Sequence, residues 1–255
     1  MPTCERTVTL ARTVRSLADA SLRVAYLADL LERTPEAKLA PVLDELCTCA
    51  EQDEPMAREV LVALVDALNL PRIAEPSARL RADAERHSLL ALDLLLRSPQ
   101  GGSHSLFSPS KDDGRLPNYG RERPLTLGER KWLARRPDRA TMPRLLADPH
   151  PDVIRALLCA PSVTELDVVR LAARRPCRPE VLAEIGQAPR WLHRSQVRMA
   201  LILNPDTPQD LAARIAGLLL RQELRRVVES TFVPKPVRDL CREHLQRRAS
   251  CSQDP

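Results

Sequence analysis

Aromatic residues and glycines are scarce in this chain of 255 residues, which has only two Trp, two Tyr, two Phe and seven Gly. β-Sandwiches, barrels and Rossmann-type enzymes depend on aromatic and β-branched strands and on glycine turns, so this composition argues against all three. The apolar residues are instead mainly Leu, Ala and Val, which suit helices. Length and composition therefore predict an all-α protein with enough chain for one large or two small cores.

Long apolar runs are also missing. The longest, at residues 89–96, is interrupted by Asp93 and is far shorter than the ~20 residues of a membrane span. The first residues lack the continuous apolar stretch of a signal peptide. We therefore expect a cytoplasmic protein with reduced thiols. The seven cysteines are odd in number and scattered: Cys4, Cys47, Cys49, Cys159, Cys177, Cys241 and Cys251.

The net charge of +5 conceals an asymmetry along the chain. Residues 1–110 carry 12 basic and 16 acidic residues, whereas residues 111–255 carry 27 basic and 18 acidic residues. Of the 39 basic residues, 35 are Arg, whose guanidinium binds carboxylates and phosphates through two hydrogen bonds. The C-terminal half is thus the basic one, and its arginine content indicates either recognition of an anion or the coding bias of a GC-rich genome, which the richness in Ala, Leu and Pro favours.

The first 97 residues contain no Gly and four amphipathic runs. The first run predicts one long helix over residues 10–31, and the second follows Pro35. The third, over residues 56–68, is apolar around most of its circumference and is expected to be the central helix. The fourth covers about residues 77–97. Short connections between these runs predict a four-helix N-terminal unit.

A different composition follows, because five of the seven glycines fall between residues 101 and 128 among several Pro and Ser. Residues 98–125 have almost no apolar periodicity, which predicts a linker or exposed loop. So long a connection is unusual inside one domain. We therefore expect an N-terminal helical unit at 1–97, this linker, a helical repeat domain at 126–248 and a disordered tail at 249–255.

A repeated frame begins after the linker. It starts with Val, places a small or apolar pair three residues later and ends with Pro at the ninth position. Copies start at Val153, Val168, Val181 and Val197. Alternate copies start 28 residues apart (153 and 181) and 29 residues apart (168 and 197), so two frames form one repeating unit.

Each frame predicts a helix of about two turns, because the Pro at its ninth position stops the helix. The first, fourth and fifth positions lie on one helical face and point inward. Thr164 and Thr207, each followed by an acidic residue, are predicted caps of two such helices. Helices this short are stable only when packed side by side, so the spacing predicts an α-solenoid of short helical hairpins.

One copy carries a family resemblance. Residues 197–208 read Val-Arg-Met-Ala-Leu-Ile-Leu-Asn-Pro-Asp-Thr-Pro and are followed by Leu211. This segment resembles the unit of the leucine-rich repeat variant family, in which an Asn-Pro-x-Thr-Pro turn links two short helices. The resemblance covers about residues 129–246 and implies a HEAT-like α-solenoid. Founding members of that family hold an iron–sulfur cluster in a cysteine-rich N-terminal segment, but Cys47 and Cys49 project to different sides of a helix, so we expect no cofactor.

Motifs of catalysis are missing: the sequence has no glycine-rich phosphate loop, His-Glu-x-x-His or nucleophile elbow. Cys241 and His244 have the spacing of two metal ligands, but two ligands make a poor site, and a packed Cys beside a solvated His explains them better. Glu165 and Asp167 form either an acid pair or, as the preceding Thr favours, a capping turn. The expectation is a protein that is not an enzyme and binds no metal.

Arginines cluster at the predicted turns, and stacked hairpins would align them into a basic ridge along one face. The alternative is a solvated surface paired with nearby glutamates. Trp191, among these arginines, is either a core residue at a helix start or an aromatic residue in a binding groove. The candidate binding residues are Arg170, Arg174, Arg175, Arg178, Arg190, Trp191, Arg194 and Arg198.

Together these patterns predict a non-enzymatic scaffold whose basic repeat face binds a protein partner with an acidic segment. The alternative function is nucleic-acid binding through the phosphate backbone, against which the few aromatic residues and the 18 acids of the same half weigh. A third hypothesis, an active site with Trp132, Trp191 and Glu184, rests only on the presence of those residues.

Overall fold

The computed structural model describes residues 3–52, 54–97, 117–119 and 123–250. This described part contains sixteen α-helices, one short 3-10 helix at Pro71–Ile73 and no β-strand, which confirms the all-α prediction. None of these helices is both long and apolar enough to cross a membrane. In chain order they are α1 (Thr3–Ser16), α2 (Ala20–Arg33), α3 (Glu36–Glu51), α4 (Pro55–Leu68), α5 (Ala74–Arg86), α6 (Leu90–Leu96), α7 (Leu127–Arg135), α8 (Met142–Leu146), α9 (Pro151–Leu158), α10 (Glu165–Ala173), α11 (Pro179–Gly186), α12 (Pro189–Leu192), α13 (Ser195–Ile202), α14 (Gln209–Leu218), α15 (Arg221–Glu229) and α16 (Lys235–Ser250).

The helices form two compact units. The first unit lies within Met1–Gly101 and Gln209–Pro255, and the second lies within Gly102–Pro208. This division differs from the predicted one, in which residues 126–248 formed a single repeat domain. The chain thus enters the first unit, leaves it for the second and returns.

The N-terminal region was predicted to contain four helices, but the structure has six α-helices there, α1 to α6. The long helix expected over residues 10–31 is broken between α1 and α2, where the Asp19 side chain accepts a hydrogen bond from the Ser21 amide and caps α2. The fourth run is split into α5 and α6 by Ser88, whose φ of 56° is incompatible with a continuing helix. The second and third runs form α3 and α4 as predicted, and α4 packs against α1, α2 and α3.

Helices α14, α15 and α16 belong to the first unit because α14 packs against α4 and α6, and α16 packs against α14 and α15. Gly217 of α14 permits a close approach, since a Cβ atom there would lie 2.8 Å from Cδ1 of Leu95 on α6. Polar contacts add to the packing: the Arg214 guanidinium donates to the Leu68 carbonyl at 2.7 Å, and Arg247 donates to the Glu51 carboxylate at 2.7 Å. Long-range packing therefore divides the predicted repeat domain at residue 208.

In the second unit, helices from alternate frames lie next to each other. Helix α9 packs against both α7 and α11, and α10 packs against α13. The four residues that start the frames are at most 1% exposed, so they point inward as predicted: Val153, Val168, Val181 and Val197.

Hydrogen bonds join residues about one repeating unit apart in the second unit. Nε of Arg155 donates to Glu184, 29 residues later, at 2.8 Å. The backbone amide of Cys177 donates to the Asp206 carboxylate, also 29 residues later, at 3.0 Å. The guanidinium of Arg175 donates to the carbonyl of Leu203, 28 residues later, at 2.6 Å. These hydrogen bonds thus have the same spacing of 28 or 29 residues as the repeating unit in the sequence.

The two predicted threonine caps have different outcomes. Thr164 and Asp167 form a capping box at the start of α10, which confirms the first prediction and explains these acids as a capping turn. The second prediction is wrong, because the hydroxyl of Thr207 donates to the Leu201 carbonyl at 2.6 Å and so closes the end of α13.

Most of the predicted linker at 98–125 and residues 251–255 of the predicted tail lie outside the described residues. Within the linker, Tyr119 is buried and its hydroxyl donates to Asp148 at 2.7 Å, so this residue belongs to the core of the second unit rather than to an exposed loop. Residues 249 and 250 of the predicted tail are the end of α16.

Candidate functional site

The candidate binding residues lie near both ends of α10. Arg174 is the C-cap of α10, whereas Arg194 lies 3.8 Å from Glu165, the first residue of the same helix. The nine residues of α10 separate its two ends by about 13 Å. The candidate residues can therefore be described as two groups, and whether they form one ridge stays a prediction. We call Arg170, Arg174, Arg175 and Arg178 the α10–α11 cluster, and Arg190, Trp191, Arg194 and Arg198 the α12 group.

The α12 group is mostly structural. Trp191 is only 3% exposed and its Nε1 donates to the Leu158 carbonyl at 2.9 Å, which confirms the core interpretation and excludes an aromatic residue in an open groove. Arg190 lies over the Trp191 ring, 4.5 Å from its centroid, and donates to the Ala160 carbonyl. Arg198 is buried and donates to the carbonyls of Leu192 and His193. The prediction that Arg198 lies on an exposed basic face is therefore wrong.

The α10–α11 cluster has a different environment. Arg170, Arg174 and Arg178 are exposed, and none of them forms an ion pair with a carboxylate in the described part of the chain. Arg175 donates to the Leu203 carbonyl, which ties the turn after α10 to the end of α13. The guanidiniums of Arg170, Arg174 and Arg178 are thus exposed to solvent, and the hydrogen bond of Arg175 fixes the turn between α10 and α11.

Arg174 and Arg178 line a small cleft together with Cys177 and Asp148. Asp148 is the one acid among the lining residues, and its carboxylate is fully buried and paired. Both of its oxygens lie 2.7 Å from the guanidinium of Arg130, and it also accepts hydrogen bonds from the Tyr119 hydroxyl and the His150 amide.

The charge that this cleft presents to solvent is therefore positive, because the negative charge of Asp148 is balanced inside the protein. Burial and the hydrogen bond to Asp148 raise the pKa of Tyr119, so its hydroxyl remains protonated as a donor. Guanidiniums hold their proton at all physiological pH values and bind carboxylates or phosphates through two parallel hydrogen bonds. The arrangement thus supports anion binding rather than acid–base chemistry.

The residues proposed for an active site do not form one. Glu184 is buried and both of its carboxylate oxygens accept hydrogen bonds from Arg155. Trp132 is 69% exposed on α7, whereas Trp191 is in the core.

The predicted packed Cys beside a solvated His is correct for Cys241 and wrong for His244. Both side chains are buried, and burial raises the pKa of Cys241 to about 12 and lowers the pKa of His244. Nδ1 of His244 lies 3.6 Å from Glu51. Burial alone would raise the pKa of Glu51, but the nearby His244 and the hydrogen bond from Arg247 outweigh burial and lower it. Within the described residues, no three His, Cys, Asp or Glu side chains are placed to hold a metal ion.

Sequence reasoning missed the buried network of Tyr119, Arg130 and Asp148 beneath the cleft. Arg130 could have been found from helical periodicity, since it lies one turn before the buried Ala134 of α7. Tyr119 lies in a stretch without periodicity and carries no such signal. The five described cysteines are free thiols: Cys47, Cys49, Cys159, Cys177 and Cys241.

Comparison with known proteins finds no relative: no protein-family model, no curated protein and no solved structure matches this chain. The resemblance of residues 197–211 to the leucine-rich repeat variant unit stays a prediction. The function is therefore argued from the geometry of the second unit.

Proposed function

We propose that this protein is a non-enzymatic binding module whose second unit is a HEAT-like α-solenoid and whose α10–α11 cluster binds an acidic segment of a protein partner. One observation carries the proposal: Arg174 and Arg178 line the same cleft, are exposed, and have no ion-pair partner within the described residues. A carboxylate of a partner chain can form the ion pairs that these two guanidiniums lack.

The solenoid part of the proposal is supported by the packing of alternate frames. Helices α7, α9 and α11 are consecutive neighbours, and so are α10 and α13. Hydrogen bonds between residues 28 and 29 positions apart connect the turns of one hairpin to those of the next. This regular spacing keeps the cluster on a rigid support.

Two acids on helices next to the α10–α11 cluster pair with basic side chains outside that cluster. Lys131 pairs with Asp152 at 3.1 Å, Asp152 also contacts Arg155, and Arg155 pairs with Glu184. These ion pairs connect α7, α9 and α11. The arginines of the α10–α11 cluster are not part of this set of ion pairs, so their guanidiniums can pair with the carboxylates of an incoming acidic segment.

A protein partner agrees better with this cluster than a nucleic acid does, because no aromatic side chain lines the cleft for base stacking. Phosphate-backbone binding shares the same guanidinium chemistry. The two kinds of partner are therefore separated by experiment.

The test is fluorescence anisotropy with two probes, a fluorescein-labelled deca-glutamate peptide and a labelled short DNA duplex. The variant is Arg174→Glu with Arg178→Glu. The matched control is Arg225→Glu with Arg226→Glu, which makes the same charge change at two exposed arginines of α15. We expect the peptide to bind the cluster variant at least about tenfold more weakly than the native protein and the control to be nearly unchanged.

Two results would contradict the proposal. In the first, both double variants bind the deca-glutamate peptide more weakly by the same factor, which would show that its affinity depends only on the total charge of the protein. If the duplex binds more tightly than the peptide, with an affinity that falls steeply as salt rises, the partner is a nucleic acid.

A further inference from the structure

Helix α7 has one buried side and one open side. Arg130 and Ala134 are buried, and Lys131 pairs with Asp152 of α9. The open side is formed by four exposed residues that are three or four positions apart along the helix and just beyond its end: Gly128, Trp132, Arg135 and Arg136.

Trp132 is the most exposed large apolar side chain of the described residues, at 69%, whereas Trp191 of the same unit is 3% exposed. Helical side chains lean toward the helix N-terminus, so the indole of Trp132 leans toward the turn that contains Gly128. No described atom lies within 4 Å of the position that a Cβ of Gly128 would occupy. The helix surface beside the indole is therefore open to solvent at Gly128.

The charge around Trp132 is positive. Arg135 and Arg136 follow it by three and four residues, are exposed, and form no ion pair within the described part of the chain. Glu129, the acid of this helix, is occupied: it accepts hydrogen bonds from Arg123 and from the capping residue Thr126, which lower its pKa to about 2.

We infer that Gly128, Trp132, Arg135 and Arg136 form a second docking site, for a short acidic peptide segment that carries one large apolar side chain. The apolar side chain packs against the indole above Gly128, and the carboxylates of the segment pair with the two arginines. An exposed Trp beside arginines has the composition of a binding hot spot. We call these four residues the Trp132 site.

A peptide fits the Trp132 site better than a single-stranded nucleic acid does. Non-specific single-strand binding uses several aromatic side chains on which successive bases stack. The other described aromatic residues of this unit, Tyr119 and Trp191, are both buried. The Trp132 site therefore offers one stacking surface. This inference goes beyond the proposed function, since it uses none of the residues of the α10–α11 cluster.

The test uses two fluorescein-labelled peptides, Glu-Glu-Asp-Phe-Glu-Asp-Glu and the same sequence with Ala in place of Phe, followed by anisotropy. The variants are Trp132→Ala, and Gly128→Gln, which keeps the indole and places a long side chain on the open surface beside it. Both positions are exposed, and circular dichroism checks that each variant is folded. We expect each variant to bind the Phe peptide at least about tenfold more weakly than the native protein, and the Ala peptide to bind all three proteins equally weakly.

The inference is overturned if Trp132→Ala binds the Phe peptide as tightly as the native protein does. It is also overturned if an oligothymidine strand binds more tightly than the Phe peptide and loses this affinity in Trp132→Ala, because the ligand is then a nucleic acid. The Arg174→Glu, Arg178→Glu variant separates the two proposals, because it should still bind the Phe peptide more tightly than the Ala peptide. Loss of that difference in affinity would contradict a separate Trp132 site.

Discussion

Asn204 is a buried amide at the turn that follows α13. Its Nδ2 donates to the carbonyl of Ala172 at 2.7 Å and to that of Arg174 at 2.9 Å, and its Oδ1 accepts from the Asp206 amide. Both carbonyls lie at the end of α10. This one side chain therefore holds the backbone from which the α10–α11 cluster projects, and it is also the Asn of the Asn-Pro-x-Thr-Pro segment.

Asn204→Ala is expected to lower the free energy of unfolding of the second unit by about 1–3 kcal/mol, because it leaves the buried Ala172 carbonyl and the part-buried Arg174 carbonyl without this donor. Urea unfolding followed by tryptophan emission measures this unit, since Trp132 and Trp191 both belong to it. Gln196→Ala on exposed α13 surface is the control and should change the free energy by less than about 0.5 kcal/mol. Equal effects of the two substitutions would contradict this role of Asn204.

His244 gives the first unit a dependence on pH. Burial lowers its pKa below 6.5, so the unfolded chain takes up a proton at a pH where the folded protein does not. The neutral His244 therefore does not lower the free energy of unfolding above pH 6.5. As the pH falls below 6.5, the free energy of unfolding decreases by at most about 1.4 kcal/mol per pH unit. Glu51, whose pKa is lowered from 4.5, adds a further loss only in more acidic solution.

The expected result is that His244→Leu has a smaller loss of stability than the native protein between about pH 7.5 and about 5.5. Urea midpoints from circular dichroism measure this loss. Gln246→Ala, which replaces an exposed side chain of the same helix that has no titratable group, should keep the native slope. An unchanged slope in His244→Leu would show that this histidine does not cause the dependence.

At the residue scale, the sequence predicted which arginines occur at turns but not which of them remain exposed. Arg194 and Arg198 are one helical turn apart, yet the first is exposed and the second donates to two backbone carbonyls in the core. Periodicity describes which side of a helix faces inward. It does not show where an unpaired carbonyl of another turn needs a donor.

At the scale of helices, the sequence predicted α3, α4 and the four frame helices because their periodicity is regular and Pro marks their ends. It did not predict the break between α1 and α2 or the one at Ser88. The apolar spacing continues across both breaks, so periodicity alone does not reveal the Asp19 cap or the positive φ of Ser88. For the same reason, the return of α14 to α4 and α6 was not predictable.

Two glycines within helices provide an opposed pair of predictions. Gly128→Ala should stabilise the second unit by about 0.5–1 kcal/mol, because Ala favours helix and its Cβ meets no described atom. Gly217→Ala should destabilise the first unit by about 1 kcal/mol, because its Cβ would lie 2.8 Å from buried Leu95 and overpacking outweighs the gain in helix propensity. Thermal unfolding of both variants checks the signs, and two shifts of the same sign would contradict this account of α7 and α14.

At the scale of the whole molecule, two units share one chain and have different surfaces. The first unit encloses its ionisable cluster of Glu51, His244 and Arg247 among packed helices. The second presents the exposed guanidiniums of Arg174 and Arg178, which line one cleft and form no ion pair within the described residues. The proposed partner binding therefore belongs to the second unit. The composition predicted a basic C-terminal half, but only packing shows that the exposed charge is concentrated at particular turns.

A charge-swap binding measurement tests the central claim most directly. Arg174→Glu with Arg178→Glu converts the positive cleft into a negative one, so affinity for a labelled deca-lysine peptide should rise as affinity for the deca-glutamate peptide falls, each by at least about tenfold. The Arg225→Glu, Arg226→Glu control should show neither change. Deca-glutamate binding that is the same in the native protein and in the cluster variant would contradict the claim that this cleft binds an acidic partner.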